Sequence, residues 1–287
     1  MSGQLTLQDM PSPLVKVTPA RLATWDDCRR RYRMTYLDRP SPPRGGAWAH
    51  ATLGAVVHNA LRALFELPVP RRSPERAAGL VERHWSSEGF RDDAQAGEYR
   101  ARAQDWVARY ADEHGAAVGE PLGVERWVAA PVGGIVAEGR VDRIDAGAAD
   151  EAGVPPAREA VVVDYKTGRW VPDEDDVRSS RALALYALAA ARTLRRACRR
   201  VELHHLPSGT VATAVHDDAS LARHLGRAEE SAVEMAAAGD ALAAGGDPEA
   251  LFPPAPGPRC ARCDVRRHCP EGRAAAPPLD PWALLAP

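Results

Sequence analysis

Residues 159–169 read EAVVVDYKTGR, an apolar run that ends in an acid and a lysine two residues apart. Successive side chains of a strand point to opposite faces, so Asp164 and Lys166 share one face and Tyr165 takes the other. Taken alone, that is an exposed ion pair worth ~0–1 kcal/mol. A second acid opens another possibility. The segment GRVDRID puts Asp142 at the end of the preceding predicted strand, one hairpin away. Neighbouring strands run ~4.8 Å apart, so the two carboxylates can converge on one ion. Oxygen ligands of this kind suit Mg²⁺ or Mn²⁺. Lys166 could then orient a water molecule and offset charge on a phosphate in the transition state.

Such a pair needs rigid strands to aim it. From about Val124 the pattern becomes strand-like, and VERWVAAPV, GIVAEGRVDRID and EAVVVDYKTG read as consecutive strands. The segment AGAADEAGVPPAR between the last two predicts a long polar hairpin loop. Upstream, residues 17–38 predict a helix with Thr18 as N-cap and Pro19 at its first position. A Pro- and Gly-rich loop follows over 39–47, then a well-buried helix from Ala49 to Leu67 and a charged helical stretch over 74–118. Downstream, a helix is expected over 175–197, then a hairpin of VELHHLP and TVATAVH joined by Ser-Gly. A long helix over 217–243 precedes a loop-like segment containing CARCDVRRHC. The order predicts a mixed α/β core behind a helical N-terminal region.

Asp142, Asp164 and Lys166 together resemble the core of the PD-(D/E)xK nuclease superfamily, a hairpin carrying Asp followed by Asp/Glu-x-Lys. Gly139 before the first acid and the Thr-Gly after the lysine are similar to the RecB-like branch. So is LGAVVHNAL, a helix with a glycine and a histidine. The resemblance implies a restriction-endonuclease-like mixed central sheet flanked by helices. It implies that His58 joins Asp142 and Asp164 at the metal, with the backbone carbonyl of Tyr165 as a further ligand. The branch also carries a Gln and a Tyr four apart on the helix after the lysine. Here Tyr186 matches, but the Gln position is Ala182. Tyr186 is either a site residue or plain core, and substrate handling is where this chain departs from the pattern.

Cys260, Cys263 and Cys269 form CxxC-x5-C, and Cys28 lies far upstream. This layout resembles the iron–sulfur nucleases of the same branch, AddB-type domains and CRISPR-associated adaptation nucleases among them. It implies a [4Fe–4S] cluster on those four thiolates, stapling the two ends of the chain together. Structural Zn²⁺ on the same cysteines, or on three of them with His268, is the competing reading. Cys198 reads as a thiol at a helix end without a function.

The composition, 45% hydrophobic and 26% charged, suits a globular chain, and a net charge of -2 excludes a global basic field. Nucleic-acid binding would then rest on local patches. Candidates are Arg29, Arg30, Arg31 and Arg33 around Cys28, and Arg192, Arg195, Arg196, Arg199 and Arg200 at the end of the helix that follows Asp164–Lys166. Trp25, Trp48 and Trp170 could stack on bases. No apolar run is long enough to span a membrane and no signal peptide is evident, so a cytoplasmic location is expected. The expected organisation is a tail over 1–16 and one nuclease domain over 17–272. Within the domain, 17–120 is mainly helical, 121–215 is the catalytic sheet and 216–272 is a helix with the cysteine loop. A second tail covers 273–287.

The resemblance implies a metal-dependent DNA exonuclease of repair or recombination, acting on single-stranded ends. Alternatives are a CRISPR prespacer-trimming nuclease working with an integrase and a non-catalytic DNA-binding subunit of a helicase–nuclease complex. No GxxxxGK phosphate loop is present, so any helicase would be a partner.

Overall fold

A computed structural model describes residues 14–147 and 159–285. In chain order the elements are β1 (Val15–Val17), α1 (Pro19–Asp27), α2 (Arg29–Tyr32), α3 (Ala49–Phe65), α4 (Pro74–His84) and α5 (Asp93–His114). Then come β2 (Gly123–Val132), β3 (Ile135–Ala146), β4 (Glu159–Lys166), α6 (Glu174–Ser179) and α7 (Arg181–Leu194). The chain closes with β5 (Ala197–His205), β6 (Thr210–Val215), α8 (Asp218–Ala243), α9 (Pro248–Leu251) and α10 (Pro270–Ala275). The six strands form one mixed sheet in the order β1-β3-β4-β5-β6, with β2 paired to β3. Parallel pairs are β1/β3 and β4/β5, and antiparallel pairs are β2/β3, β3/β4 and β5/β6. Helices cover both faces, which is the mixed central sheet that the resemblance implies. Among the described residues no helix is long and apolar enough to cross a membrane.

The AVVV run explains why β4 is central. Ala160 and Val162 join a core with α1, α7 and α8, whereas Val161, Val163 and Tyr165 join a core with α3, α4 and α5. A strand buried on both faces needs an unbroken apolar run. Val162 and Val163 are fully buried, and each stabilises the fold by ~1.5–3 kcal/mol.

β3 divides one of its edges between two partners. β1 pairs with Ile135–Ala137, and β4 pairs with Arg143–Ala146. Residues 138–142 lie between these two pairings and keep β2 as their partner. Asp142 stands at the point where β3 and β4 part.

Several expectations are corrected. The stretch 74–118 is two helices, α4 and α5, separated by a turn in which Gly89 takes φ +82°. The helix expected over 175–197 breaks at Ser180, which ends α6 in an extended conformation and caps α7 by accepting from Leu183 N–H. Cys198 is not at a helix end. It sits buried on β5, which begins at Ala197, and Arg199 and Arg200 belong to that strand as well. β1 was not foreseen at all. Residues of the second tail up to Leu285 dock on the domain. Arg169 donates to the carbonyls of Leu285 and Ala283, Ala49 N–H donates to Pro281, and Leu285 is buried. The long loop expected between β3 and β4 lies mostly outside the described residues, as does most of the N-terminal tail.

Candidate active site

Thr18 accepts from Arg21 N–H and starts α1 as its sequence suggests. α3 carries His58 on its inner side. One turn earlier, Gly54 lies over the Thr-Gly turn after β4, where a Cβ would come 3.4 Å from Thr167 Oγ1. α3 thus runs close to the strand ends at this point. The His58 ring meets Tyr165 edge-on at 5.8 Å between centroids.

His58 Nδ1 lies 3.4 Å from Asp142 Oδ1 and 4.0 Å from Glu125 Oε1. One ligand atom from each of these residues falls within 4.8 Å of the others. Glu125 has no counterpart in the sequence reading. It precedes Asp142 by 17 residues on β2 and stands opposite it by register, between the pairs Val124–Arg143 and Arg126–Val141. Its backbone is left-handed, with φ 46°, which costs a non-glycine residue ~1–3 kcal/mol. Only strand register reveals it, since no short-range spacing links it to the motif.

Asp142 also accepts a hydrogen bond of 2.9 Å from the backbone N–H of Tyr165. The carboxylate thus takes a backbone donor of β4 just where the two strands separate. Asp164 lies outside the His58–Glu125–Asp142 set and forms an ion pair with Lys166. Asp164 Oδ2 is otherwise without a hydrogen bond, which leaves it able to accept a cation. Lys166 is half exposed and reaches toward solvent at the strand end.

The electrostatics follow from crowding acids in a half-closed recess. Burial pushes the Asp164 carboxyl up; the Lys166 ammonium pulls it back and the Asp142 charge raises it further. Burial also raises Glu125, and Asp142 adds to it. Burial alone would lower His58, but Asp142, Asp164 and Glu125 together hold its pKa above the usual value. All three shifts are toward proton uptake, the direction that a bound divalent cation would oppose. The donor set of an imidazole and carboxylates fits Mn²⁺ or Mg²⁺.

Tyr186 on α7 packs over Gly139 of β3, where a Cβ would come within 2.7 Å of its Cε1. Burial and the charges of Asp164 and Asp142 raise its hydroxyl to about 12. Tyr186 lines a recess of about 760 Å³ with His58, Glu125, Trp127, Arg140 and Asp142.

Behind the site runs a buried polar chain. Arg143 Nη1 donates to Tyr165 Oη at 2.8 Å and to Tyr110 Oη at 3.0 Å, and Arg143 Nε meets both oxygens of Asp145. Tyr110 Oη lies 2.6 Å from His204 Nδ1, and His204 Nε2 lies 2.8 Å from Glu202. This network holds Tyr165, the residue between Asp164 and Lys166, from the far side of the sheet.

Cys28, Cys260, Cys263 and Cys269 line a second recess of about 110 Å³ between the N-terminal helices and the C-terminal loop. Gly272 keeps it open, since a Cβ there would lie 3.3 Å from Cys269 Sγ and 3.6 Å from Cys260 Sγ. Burial raises the Cys263 thiol. The surrounding arginines are ties rather than a free basic patch. Arg29 pairs with Glu234, Arg30 with Glu249 and Glu271, Arg31 with Asp264, and Arg33 with Asp38 and Glu249. On β5, Arg199 and Arg200 pair with Asp218 and Glu202. Trp25 is core, packed edge-on against Tyr32 and Phe252. Trp170 is exposed, and its indole N–H donates to Asp176.

A family model described as the PD-(D/E)XK nuclease superfamily matches residues 16–270. None of the curated proteins compared with the chain matches it. Among solved structures, one from Eubacterium rectale titled "Putative exonuclease" is 13% identical, with 93% of this chain and 94% of that chain covered and a TM-score of 0.47.

Proposed function

The chain belongs to the PD-(D/E)XK nuclease superfamily, and from that premise we propose that it is a divalent-metal-dependent DNA exonuclease acting on single-stranded ends. The observation that carries this reading is the convergence of His58, Asp142 and Glu125 at the parting of β3 and β4, beside the Asp164–Lys166 pair. His58, Asp142 and Asp164 would hold the cation, with the carbonyl of Tyr165 as a further ligand and Glu125 beside them. A cation bound there supplies Lewis-acid stabilisation of charge building on the phosphate. Lys166 orients the attacking water and offsets phosphate charge. Tyr186, tight against Gly139 and with its proton firmly held, packs the acids on their other side. A non-catalytic subunit would not need this full set of acids, histidine and lysine.

The test compares linear and circular single-stranded DNA in Mn²⁺ or Mg²⁺. Degradation of the linear strand and survival of the circle are expected. Cleavage of both would contradict exonuclease action, and survival of both would contradict the enzyme.

The cysteine recess is proposed to hold a [4Fe–4S] cluster. A tetrahedral zinc ion at ~2.3 Å from each thiolate needs sulfurs ~3.8 Å apart. Among the described residues, no three of these cysteines, with or without His268, bring their ligand atoms within 4.8 Å of one another. The lining of one recess by all four cysteines is what supports the cluster.

A further inference from the structure

We propose that Trp127 is a stacking platform for a nucleobase one nucleotide from the scissile phosphate, and that Arg140 beside it holds the adjoining phosphate. This inference rests on the nuclease reading above and names the form of DNA that the recess takes.

Trp127 is 56% exposed and lies with Ala129 and Pro131 on the open face of β2. Val128, Ala130 and Val132 point into the core, so the pleat of the strand turns Trp127 outward. Trp127 lies in the wall of the recess that holds His58, Glu125 and Asp142. Register places it directly opposite Arg140, whose side chain is 64% exposed and whose Nε meets Glu125 at 2.7 Å.

Two cross-strand pairs therefore follow one another along β2 and β3. Glu125 and Asp142 form the acidic pair, and Trp127 with Arg140 forms the next one. They are two residues apart, ~6.8 Å along a strand. One nucleotide step of an extended single strand covers such a span. A phosphate at the acids would then leave the neighbouring phosphate near Arg140 and the base over Trp127. Across the recess, α3 offers Ala51, Gly54 and Ala55, which leave room for a base to enter edge first. A base already paired and stacked within a duplex cannot present its face to the indole. The recess therefore selects unpaired ends. Stacking of this kind tolerates any base, because every base has a π-face.

The test measures binding without turnover, in the full chain carrying Asp164→Asn with Mg²⁺. The probes are a fluorescein-labelled oligothymidylate and the same strand with abasic terminal nucleotides, read by anisotropy. Adding Trp127→Ala is expected to weaken oligothymidylate binding about 10–100-fold. Trp127→Phe should retain most of the affinity, and the Trp127→Ala loss should vanish on the abasic strand. Adding Arg140→Ala should instead reduce the slope of log affinity against log salt by ~0.7. Equal binding of oligothymidylate by the Asp164→Asn parent and its Trp127→Ala form would overturn the inference and leave the nuclease reading intact. An equal Trp127→Ala loss on both strands would also overturn it, because the residue would then act only through the fold. Failure of both the parent in Mg²⁺ and the wild type in Ca²⁺ to bind any strand would remove both readings.

Discussion

Glu202 sits on β5 at the far end of the polar chain that reaches Tyr165 through His204, Tyr110 and Arg143. Burial would raise its carboxyl, but hydrogen bonds from His204 and Arg200 hold it at about 2. The folded pKa is thus depressed below the usual 4.5. The stability it contributes is complete above that ordinary value and is lost as pH falls through the folded one. Glu202→Gln is therefore expected to be less stable than wild type near neutral pH, with the difference closing as pH falls from about 4.5 toward about 2. Urea unfolding across that window measures it, and a difference independent of pH would contradict the assignment. Single residues also set what the sequence could reveal. Asp164 and Lys166 are legible from their spacing and Asp142 from its strand end one hairpin away, whereas His58 enters only through the family resemblance of LGAVVHNAL. Glu125 and Trp127 carry no such signal, because their relation to the site exists only through the pairing of β2 with β3.

At the scale of elements, the pairing of α7 with β3 decides the geometry. Gly139 is where the ring of Tyr186 touches the strand, and the 2.7 Å approach leaves no space for a methyl group. Gly139→Ala is expected to destabilise the fold by ~1–3 kcal/mol and to lower nuclease activity, because α7 or Tyr186 must move. Gly97→Ala on α5 is the matched control. No atom lies within 4 Å of a Cβ there, so helix propensity alone predicts a gain of ~0.5–1 kcal/mol. A neutral Gly139→Ala would show that the contact does not position α7. The strands were readable from alternation and from the apolar run of β4. The break between α6 and α7 was hidden because Ser180 lies within an otherwise continuous helical pattern, although its capping chemistry was a usable signal. The start of β5 was hidden by its arginines, which make a half-buried strand resemble a helix end. β1 is three residues long and gains its strand identity only by pairing with β3.

Across the whole molecule, the α1–α2 region and the segment around residues 254–272 meet at the cysteine recess. Asp264 bonds Arg31 at 3.0 Å, and its carbonyl accepts from Gly45 N–H at 2.7 Å, while Arg259 meets Asp27. Polar ties thus already seat a segment whose sequence offers few apolar anchors. Protein purified without oxygen is expected to be brown, with a broad absorbance that Cys263→Ala removes. Colourless protein carrying zinc would contradict the cluster. The sheet, with His58 on α3, Glu125 on β2, Asp142 on β3 and Asp164 and Lys166 on β4, gathers the site from four elements. Its central claim is most directly tested with an end-labelled single strand in Mn²⁺, comparing wild type with Asp164→Ala and adding a chelator as a third arm. Wild type is expected to degrade the strand, with a loss of about 10³-fold or more in Asp164→Ala and abolition by the chelator. Equal degradation by both proteins, or degradation unaffected by the chelator, would contradict a metal-dependent nuclease centred on Asp164.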